Sequence, residues 1–367
     1  MPTIMNVCGA RPNFMKIAPL MRAYQVHPSI TPLLVHTGQH YDSNMSELFF
    51  KDLQIPEPDL NLGVGSGSHA FQTAEIMKRF EPVVLEQCPD WVVVVGDVNS
   101  TIACGLVAKK AGARLAHVEA GLRSFDRTMP EELNRLLTDA ISDLLFVSEP
   151  SGLTNLKREG IPDEKVHFVG NVMIDTLRAN REHAERSTIL ADFGLEKGCY
   201  NVVTLHRPSN VDDAATFAGI ADVLDEIQRD LPTVFPMHPR TVANLSKLGL
   251  AKRLESMRQL RVTQPLGYLD FLKLMANAAV VLTDSGGIQE ETTILGVWCL
   301  TLRETTERPV TVTHGTNVVV GTDPQRILAA YRRRRAETLR DPPVPEKWDG
   351  RAAERIAAIL AEAGEPR

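Results

Sequence analysis

The residues Thr283-Asp284-Ser285-Gly286-Gly287-Ile288-Gln289-Glu290-Glu291 follow the apolar run Ala278 to Leu282. Glycines at a strand-to-helix turn bare backbone N–H groups at the positive end of a helix, which suits a phosphate. One turn on, a carboxylate such as Glu290 or Glu291 can accept hydrogen bonds from a ribose diol. Taken alone, the glycines also fit a tight turn before a capped helix. With two adjacent glutamates the stretch points to a nucleotide, and to a nucleoside diphosphate rather than a dinucleotide.

A second chemistry comes from carboxylates after apolar runs. Gly96-Asp97 ends the run Trp91 to Val95, His117-Val118-Glu119 ends another, and Met129-Pro130-Glu131-Glu132 opens a helical pattern. Asp97 also reads as a helix cap and Glu131 as helix-start chemistry. Three carboxylates at neighbouring strand ends repel one another, which raises a pKa and supplies both an acid and a base. Strand alternation sends His117 and Glu119 to the same side, both near the crevice. In Cys8-Gly9-Ala10-Arg11-Pro12, Arg11 offers a donor to a phosphate oxygen or serves a structural role. That turn lacks the Gly-x-Gly-x-x-Gly of a dinucleotide site. Leu205-His206-Arg207-Pro208 and Met237-His238-Pro239-Arg240 add titratable and cationic groups at later strand ends. His36-Thr37-Gly38-Gln39-His40-Tyr41-Asp42 has the spacing of metal ligands, but no Glu completes a His-Glu-x-x-His helix and Gly38 favours a loop. No metal site is expected.

The elements that position these groups alternate. Ile4 to Cys8, Thr31 to Thr37, Trp91 to Val95, Arg114 to Glu119 and Leu144 to Val147 read as strands. Between them run helical patterns at Lys16 to Gln25, Ala70 to Gln87, Thr101 to Ala111 and Pro130 to Ser142. Near-continuous apolar strands in βαβ order predict parallel sheets covered on both faces. The pattern restarts after Asn171, with strands at Tyr200 to Leu205, Thr233 to Pro236, Leu260 to Thr263 and Ala279 to Thr283. The expected fold is α/β: two doubly wound Rossmann-like domains with a central cleft. Residues 1–171 would carry the acids, 172–350 the phosphate site, and a helix in 351–367 would pack back on the first domain. Ligands of such sheets sit beyond the carboxyl ends of the strands, where every candidate group lies.

The chain has 367 residues and a formal charge of −6, so it has no global attraction to nucleic acid or acidic membranes. Its one basic cluster, Arg332 to Arg335, reads as a solvated or interdomain surface. Five scattered cysteines form no Cys-x-x-Cys, and Cys8, Cys104 and Cys299 lie among apolar residues, as buried free thiols do. With no signal-peptide pattern and no membrane-spanning run, a cytoplasmic protein is expected.

As a set these motifs resemble the non-hydrolysing UDP-N-acetylglucosamine 2-epimerase family. The resemblance runs through Gly-Ala-Arg-Pro at 9–12, His-Thr-Gly-Gln-His at 36–40, Gly-Asp at 96–97 and His-Val-Glu-Ala-Gly-Leu-Arg at 117–123. It continues in Pro-Glu-Glu at 130–132, His-Arg at 206–207, the 283–291 stretch and Thr-Glu-Arg-Pro at 306–309. It implies a GT-B-like fold, a homodimer, and interconversion of UDP-N-acetylglucosamine and UDP-N-acetylmannosamine without an added cofactor. By the resemblance, Asp97, Glu119 and Glu131 are the catalytic acids and His206 a further candidate. Arg11, His238, Ser285, Gly286, Gly287 and Glu291 would hold UDP, with Glu291 on the ribose. His117, Arg123 and Arg207 would complete the substrate contacts.

The chain departs from the family where many bacterial members bind a second UDP-N-acetylglucosamine as activator. Gln39 and His40 match, but Asp42 stands where a glutamine is expected, and no arginine occurs between Arg22 and Arg79. Within the resemblance, 2-epimerases of UDP-2,3-diacetamido uronic acids share Asn-Met-Ser-Glu at 44–47, whereas Thr-Glu-Arg-Pro favours the N-acetylglucosamine branch. A hydrolysing epimerase shares the fold. A catalytically inactive UDP-sugar sensor would not need the three acids together.

Overall fold

The structure, a computed structural model, describes residues 1–39, 52–237, 239–337, 339 and 344–363. The chain forms two compact units: Met1–Ala179 with Glu346–Arg367, and Asn180–Pro345. The division falls inside the helix Val172–Glu185 and again at 345, rather than at 171 and 350.

The first unit is built on β1 (Thr3–Cys8), β2 (Thr31–His36), β3 (Leu60–Asn61), β4 (Trp91–Val95), β5 (Arg114–Ala120), β6 (Leu144–Val147) and β7 (Val166–Phe168). These form one parallel sheet in the order β3-β2-β1-β4-β5-β6-β7. Every residue of β4 is buried, as a strand covered on both faces must be. Val92 and Val94 share a core with Ile76, Phe80 and Val84 from the helix His69–Gln87. Burying each such side chain contributes about 1.5–3 kcal/mol. The helix Arg11–Tyr24 starts earlier than the apolar pattern predicts. Asn13 reaches back to accept hydrogen bonds from the Gly9 and Ala10 amides, each at 3.2 Å, and proline is tolerated in a first turn. This early start carries Lys16 inside the helix.

The segment from Glu346 returns to the first unit. Trp348 is buried and its indole donates to the Ser148 carbonyl at 2.9 Å. The helix Ala352–Ala363 buries Ile356, Ala357 and Leu360 against the helix Arg11–Tyr24. Asp175 caps it, accepting from the Ala352 and Ala353 amides at 3.2 and 2.7 Å.

The second unit holds β8 (Asn201–Thr204), β9 (Thr233–Pro236), β10 (Leu260–Thr263), β11 (Val280–Thr283), β12 (Trp298–Thr301) and β13 (Asn317–Val319). They form a parallel sheet in the order β10-β9-β8-β11-β12-β13. Its core joins Val203, Phe235, Val280 and Leu282 to Phe217, Leu224 and Ile227 of the helix Ala214–Asp230. The basic cluster is partly neutralised within the unit. Arg333 and Arg334 pair with Glu337, Arg335 pairs with Asp230, and Arg334 lies 4.0 Å from the Trp298 ring centroid. Among the described residues no helix is long and apolar enough to cross a membrane.

Candidate active site

Each sheet reverses its strand order once, between β1 and β4 in the first unit and between β8 and β11 in the second. The candidate groups gather at the carboxyl ends of the strands around these reversals, where open parallel sheets bind ligands.

In the first unit Glu119 pairs with Lys16, and the two residues are only 3% and 5% exposed. Glu119 occupies the left-handed region, φ +75°. The β5–β6 register shifts between Val118 and Ala120, so Glu119 is the extra residue of a bulge. This overturns the alternation argument, because a bulge breaks the two-residue period that would send His117 and Glu119 to one side. A left-handed glutamate is strained, and such strain persists where its surroundings enforce it. Gly96, at φ +66°, leaves the room needed: a Cβ there would lie 2.8 Å from Lys16 Nζ and 3.3 Å from Glu119 Oε2. Lys16 was missing from the candidates. Its signal in the sequence is a lone cation inside Phe14-Met15-Lys16-Ile17-Ala18, where lysine is seldom buried without a partner.

Asp97 follows β4 and is held by Arg135, which also donates from Nε and Nη2 to Glu132 at 3.1 and 2.7 Å. The Glu132 carboxylate accepts from the Ser124 amide at 2.9 Å, its hydroxyl at 3.1 Å and the Phe125 amide at 3.0 Å. Burial pushes the Glu132 carboxyl up, but these donors and Arg135 override it and hold it below its usual range. The adjacent glutamates therefore differ. Glu132 is buried and locked, whereas the carboxylate of the half-buried Glu131 has no hydrogen bond or ion pair to another described side chain. Both belong to the first turn of the helix Pro130–Ile141.

His117 and Arg123 are not surface groups. His117 is fully buried; Nδ1 donates to Asp139 at 2.6 Å and Nε2 to the Gly96 carbonyl at 2.8 Å. Arg123 is buried against Asp139 at 2.7 Å and grips Glu159 through Nε and Nη2 at 2.8 and 2.6 Å. Burial pushes the Asp139 carboxyl up, yet His117 and Arg123 beside it hold it below its usual range. Both side chains were expected at the substrate; in this structure their donors go to internal acceptors.

Gln39 is likewise engaged, its side-chain oxygen accepting from the Ser100 amide at 3.0 Å and hydroxyl at 2.7 Å. His40 and Asp42 lie outside the described residues, as does His238. Arg11 opens its helix, but its side chain is also outside the description.

In the second unit the buried Asp284 organises the turn after β8. It accepts from the Arg207 amide at 2.9 Å, Asn210 at 3.1 Å and His206 Nδ1 at 2.8 Å. Burial raises the Asp284 carboxyl, but His206 and the backbone amides override it and hold it low. The His206 side chain remains 44% exposed. Ser285 stands at the N-cap position of the helix Gly286–Leu295 without a side-chain capping bond, and the first amides, at Gly286 and Gly287, have no acceptor inside the helix. A Cβ at Gly286 would lie 2.5 Å from Arg308 Nη1 and 3.0 Å from Glu307 Oε1. Only glycine admits this approach of an arginine to the helix start. Arg308 donates to Glu290 and Glu307 at 2.7 and 2.6 Å, and Arg303 pairs with Glu307 at 2.8 Å. Burial pushes Glu307 up, but Arg308 and Arg303 hold it far below the carboxylate range. Arg207 Nη2 lies 3.9 Å from the same Glu307. Glu291, one position after the arginine-bound Glu290, is buried and accepts from the Tyr268 hydroxyl at 3.0 Å. Among the described residues no group of three His, Cys, Asp or Glu could hold a metal ion.

Two doubly wound parallel sheets, each with charged groups gathered at its strand reversal, define an α/β enzyme of two Rossmann-like units. A sequence model of the UDP-N-acetylglucosamine 2-epimerase family matches residues 22–361. A UDP-N-acetylglucosamine 2-epimerase of Methanococcus maripaludis is 42% identical over 88% of this chain and 88% of its own length. A UDP-2,3-diacetamido-2,3-dideoxy-D-glucuronate 2-epimerase of Pseudomonas aeruginosa is 40% identical over 98% of this chain and 99% of its own. The crystal structure of the Methanocaldococcus jannaschii UDP-GlcNAc 2-epimerase in complex with UDP-GlcNAc and UDP superposes with a TM-score of 0.92. It is 41% identical and covers 98% of this chain and 99% of that one. The chain belongs to the UDP-N-acetylglucosamine 2-epimerase family, a family of isomerases.

Proposed function

We propose that this chain interconverts UDP-N-acetylglucosamine and UDP-N-acetylmannosamine by eliminating UDP across C1–C2 and adding it back. The observation that carries the reading is the buried Glu119–Lys16 pair on a left-handed bulge, in the same unit as Asp97 and Glu131. The C2 proton is barely acidic, so inversion through a free carbanion is costly. Elimination avoids that: a carboxylate takes the C2 proton, the C–H electrons form the C1=C2 bond, and the C1–O bond breaks to release UDP. In the return step a phosphate oxygen re-forms the bond to C1 while C2 is protonated from the opposite face. No electrons are gained or lost, so the balance calls for no redox cofactor. The route needs a base, a second proton donor and cations for the departing diphosphate.

Asp97, Glu119 and Glu131 are assigned to proton transfer, with His206 as a further candidate. Lys16 holds Glu119, and Arg135 holds Asp97. The diphosphate is assigned to Ser285 and the Gly286 and Gly287 amides, with Arg207 and Arg308 as nearby cations and Arg11 and His238 as further ligands. Glu291 takes the ribose. His117 and Arg123 support the site from behind.

A second reading, epimerisation of a UDP-2,3-diacetamido uronic acid, is favoured by the 40% identity to the Pseudomonas enzyme over nearly the whole chain. NMR in heavy water with each sugar nucleotide separates the two. Deuterium entering C2 of both N-acetyl epimers supports the proposal. Turnover of the uronate alone supports the second reading, and stoichiometric release of UDP with free sugar would indicate a hydrolysing enzyme.

The proposed assembly is a homodimer. Supporting it, the first unit exposes Phe71, Leu133 and Leu137 beside a depression of about 390 Å³ lined in part by Met77, Leu133 and Asn134. Sedimentation equilibrium tests it. The proposed location is the cytoplasm, consistent with five free cysteines of which three are buried.

A further inference from the structure

We infer that Asp139 and His117 are positioning residues that splint the bulge of β5 and so hold Glu119 in its left-handed conformation. The inference rests on the assignment of Glu119 to proton transfer. Glu119 at φ +75° and Gly121 at φ +81° flank Ala120, so two left-handed residues lie within three positions at the end of β5. Nothing in the ladder to β6 enforces this, because the register breaks at the bulge itself.

One carboxylate grips the strand on both sides of the break. Asp139 Oδ1 accepts from His117 Nδ1 at 2.6 Å, and Oδ2 accepts from the Gly121 amide at 3.0 Å. Arg123 reaches the same Oδ2 at 2.7 Å. Residues two before, two after and four after Glu119 are thus tied to one rigid group on the helix Pro130–Ile141. The Gly121 carbonyl is fixed as well, accepting from Asn155 at 2.9 Å. The second nitrogen of His117 extends the splint to the neighbouring strand end. It donates to the Gly96 carbonyl at 2.8 Å, and Gly96 is the residue whose missing Cβ makes room for the Lys16–Glu119 pair. The imidazole therefore joins the bulge to the wall facing it. Burial raises the Asp139 carboxyl, but His117 and Arg123 hold it below its usual range, so the group that grips the strand stays an acceptor. None of these groups needs contact with substrate to act. They fix where the Glu119 carboxylate stands, within the few tenths of an ångström that proton transfer requires.

The test compares Asp139→Asn and His117→Asn with Glu119→Gln and the double variant Asp139→Asn/Glu119→Gln in the full chain. His117→Asn keeps a donor near Nδ1 and loses the Gly96 link, so it perturbs folding less than removal of the buried acid. For each single positioning variant we expect kcat for UDP-N-acetylglucosamine to fall at least tenfold, with KM and the UDP dissociation constant within about threefold. Adding Asp139→Asn to Glu119→Gln should lower kcat no further. A melting shift with kcat per folded molecule unchanged in both variants would overturn the inference, as would full multiplication of losses in the double variant. An active Glu119→Gln enzyme would sink the assignment of Glu119 itself, whereas an inactive one with active positioning variants would sink only the splint. A readout free of turnover stands beside these. Asp139→Asn should lower the melting temperature more in a Glu119→Gly background than in Glu119→Ala, because alanine freed from the splint can leave positive φ and recover its strain, whereas glycine has none to recover. Equal shifts in the two backgrounds would overturn the coupling.

Discussion

The ammonium of Lys16 is paired with the carboxylate of Glu119, 103 residues further along the chain, and both side chains are buried. Removing one partner of a buried pair leaves the other charge uncompensated, at a cost of roughly 3–5 kcal/mol. Lys16→Met should therefore destabilise the protein by that order in urea denaturation and abolish turnover. Lys16→Met combined with Glu119→Gln should regain part of the stability and none of the activity. Full stability in Lys16→Met would show that the pair is not held as described.

Gly96→Ala adds a methyl where Lys16 Nζ stands and places alanine at φ +66°. The backbone penalty is about 1–2 kcal/mol, and the flexible ammonium must move off Glu119. The expected outcome is a modest fall in melting temperature with a loss of turnover greater than tenfold. Calorimetry should find UDP binding little changed, because the groups proposed for the diphosphate, Arg11 apart, belong to the other unit.

Glu291→Ala should weaken UDP binding, the ribose losing a charged acceptor that contributes roughly 1.5–3 kcal/mol. Glu291→Gln should fall between, since an amide oxygen can still accept from Tyr268. Glu119→Gln should leave UDP affinity intact. The reverse pattern in titration calorimetry would exchange the roles of the two units.

Asp175 gives a pH signature. Burial pushes its carboxyl up to about 6, with the Ala352 and Ala353 amides opposing. Its folded pKa thus exceeds the unfolded value, so its share of stability is full below about pH 4 and lost as pH rises through 6. A rise from the ordinary carboxyl value to about 6 corresponds to about 3 kcal/mol. Comparing denaturation midpoints from about pH 4 to 7, the wild type should lose that amount relative to Asp175→Asn. A constant difference across the window would refute it.

Activation by a second sugar nucleotide should be absent. Gln39, the matching residue inside the described structure, is already committed to Ser100. Progress curves with UDP-N-acetylmannosamine alone should show no lag, and a lag removed by traces of UDP-N-acetylglucosamine would show that an activator site exists.

Much of the architecture was legible because long apolar runs declare buried parallel strands, as at Trp91 to Val95. The strands β3, β7 and β13 were not, since two or three residues are too few to show a period, and β12, Trp298–Thr301, was missed as well. Asp97 and Glu119 were legible as carboxylates at strand ends, and Glu131 as an acid in the first turn of a helix. Their partners Lys16, Arg135 and Asp139 were not, because each lies within a helical pattern and meets its acid only through the fold. The bulge at Glu119 was invisible for a related reason: it depends on contacts at residues 96 and 139, not on the residues around it.

The return of residues 346–363 to the first unit sets an order on synthesis. A ribosome makes the acid-bearing unit first, yet Trp348 and the helix Ala352–Ala363 that seal it emerge only after the second unit is complete. The unit begun first is closed last. A nascent chain halted near Pro345 would carry a finished second unit and an unsealed first one, with the face of the helix Arg11–Tyr24 that packs on the helix Ala352–Ala363 left open. Chaperones would meet that intermediate in every round of translation, and a stop codon that removed only this short tail would disable the acids it never touches.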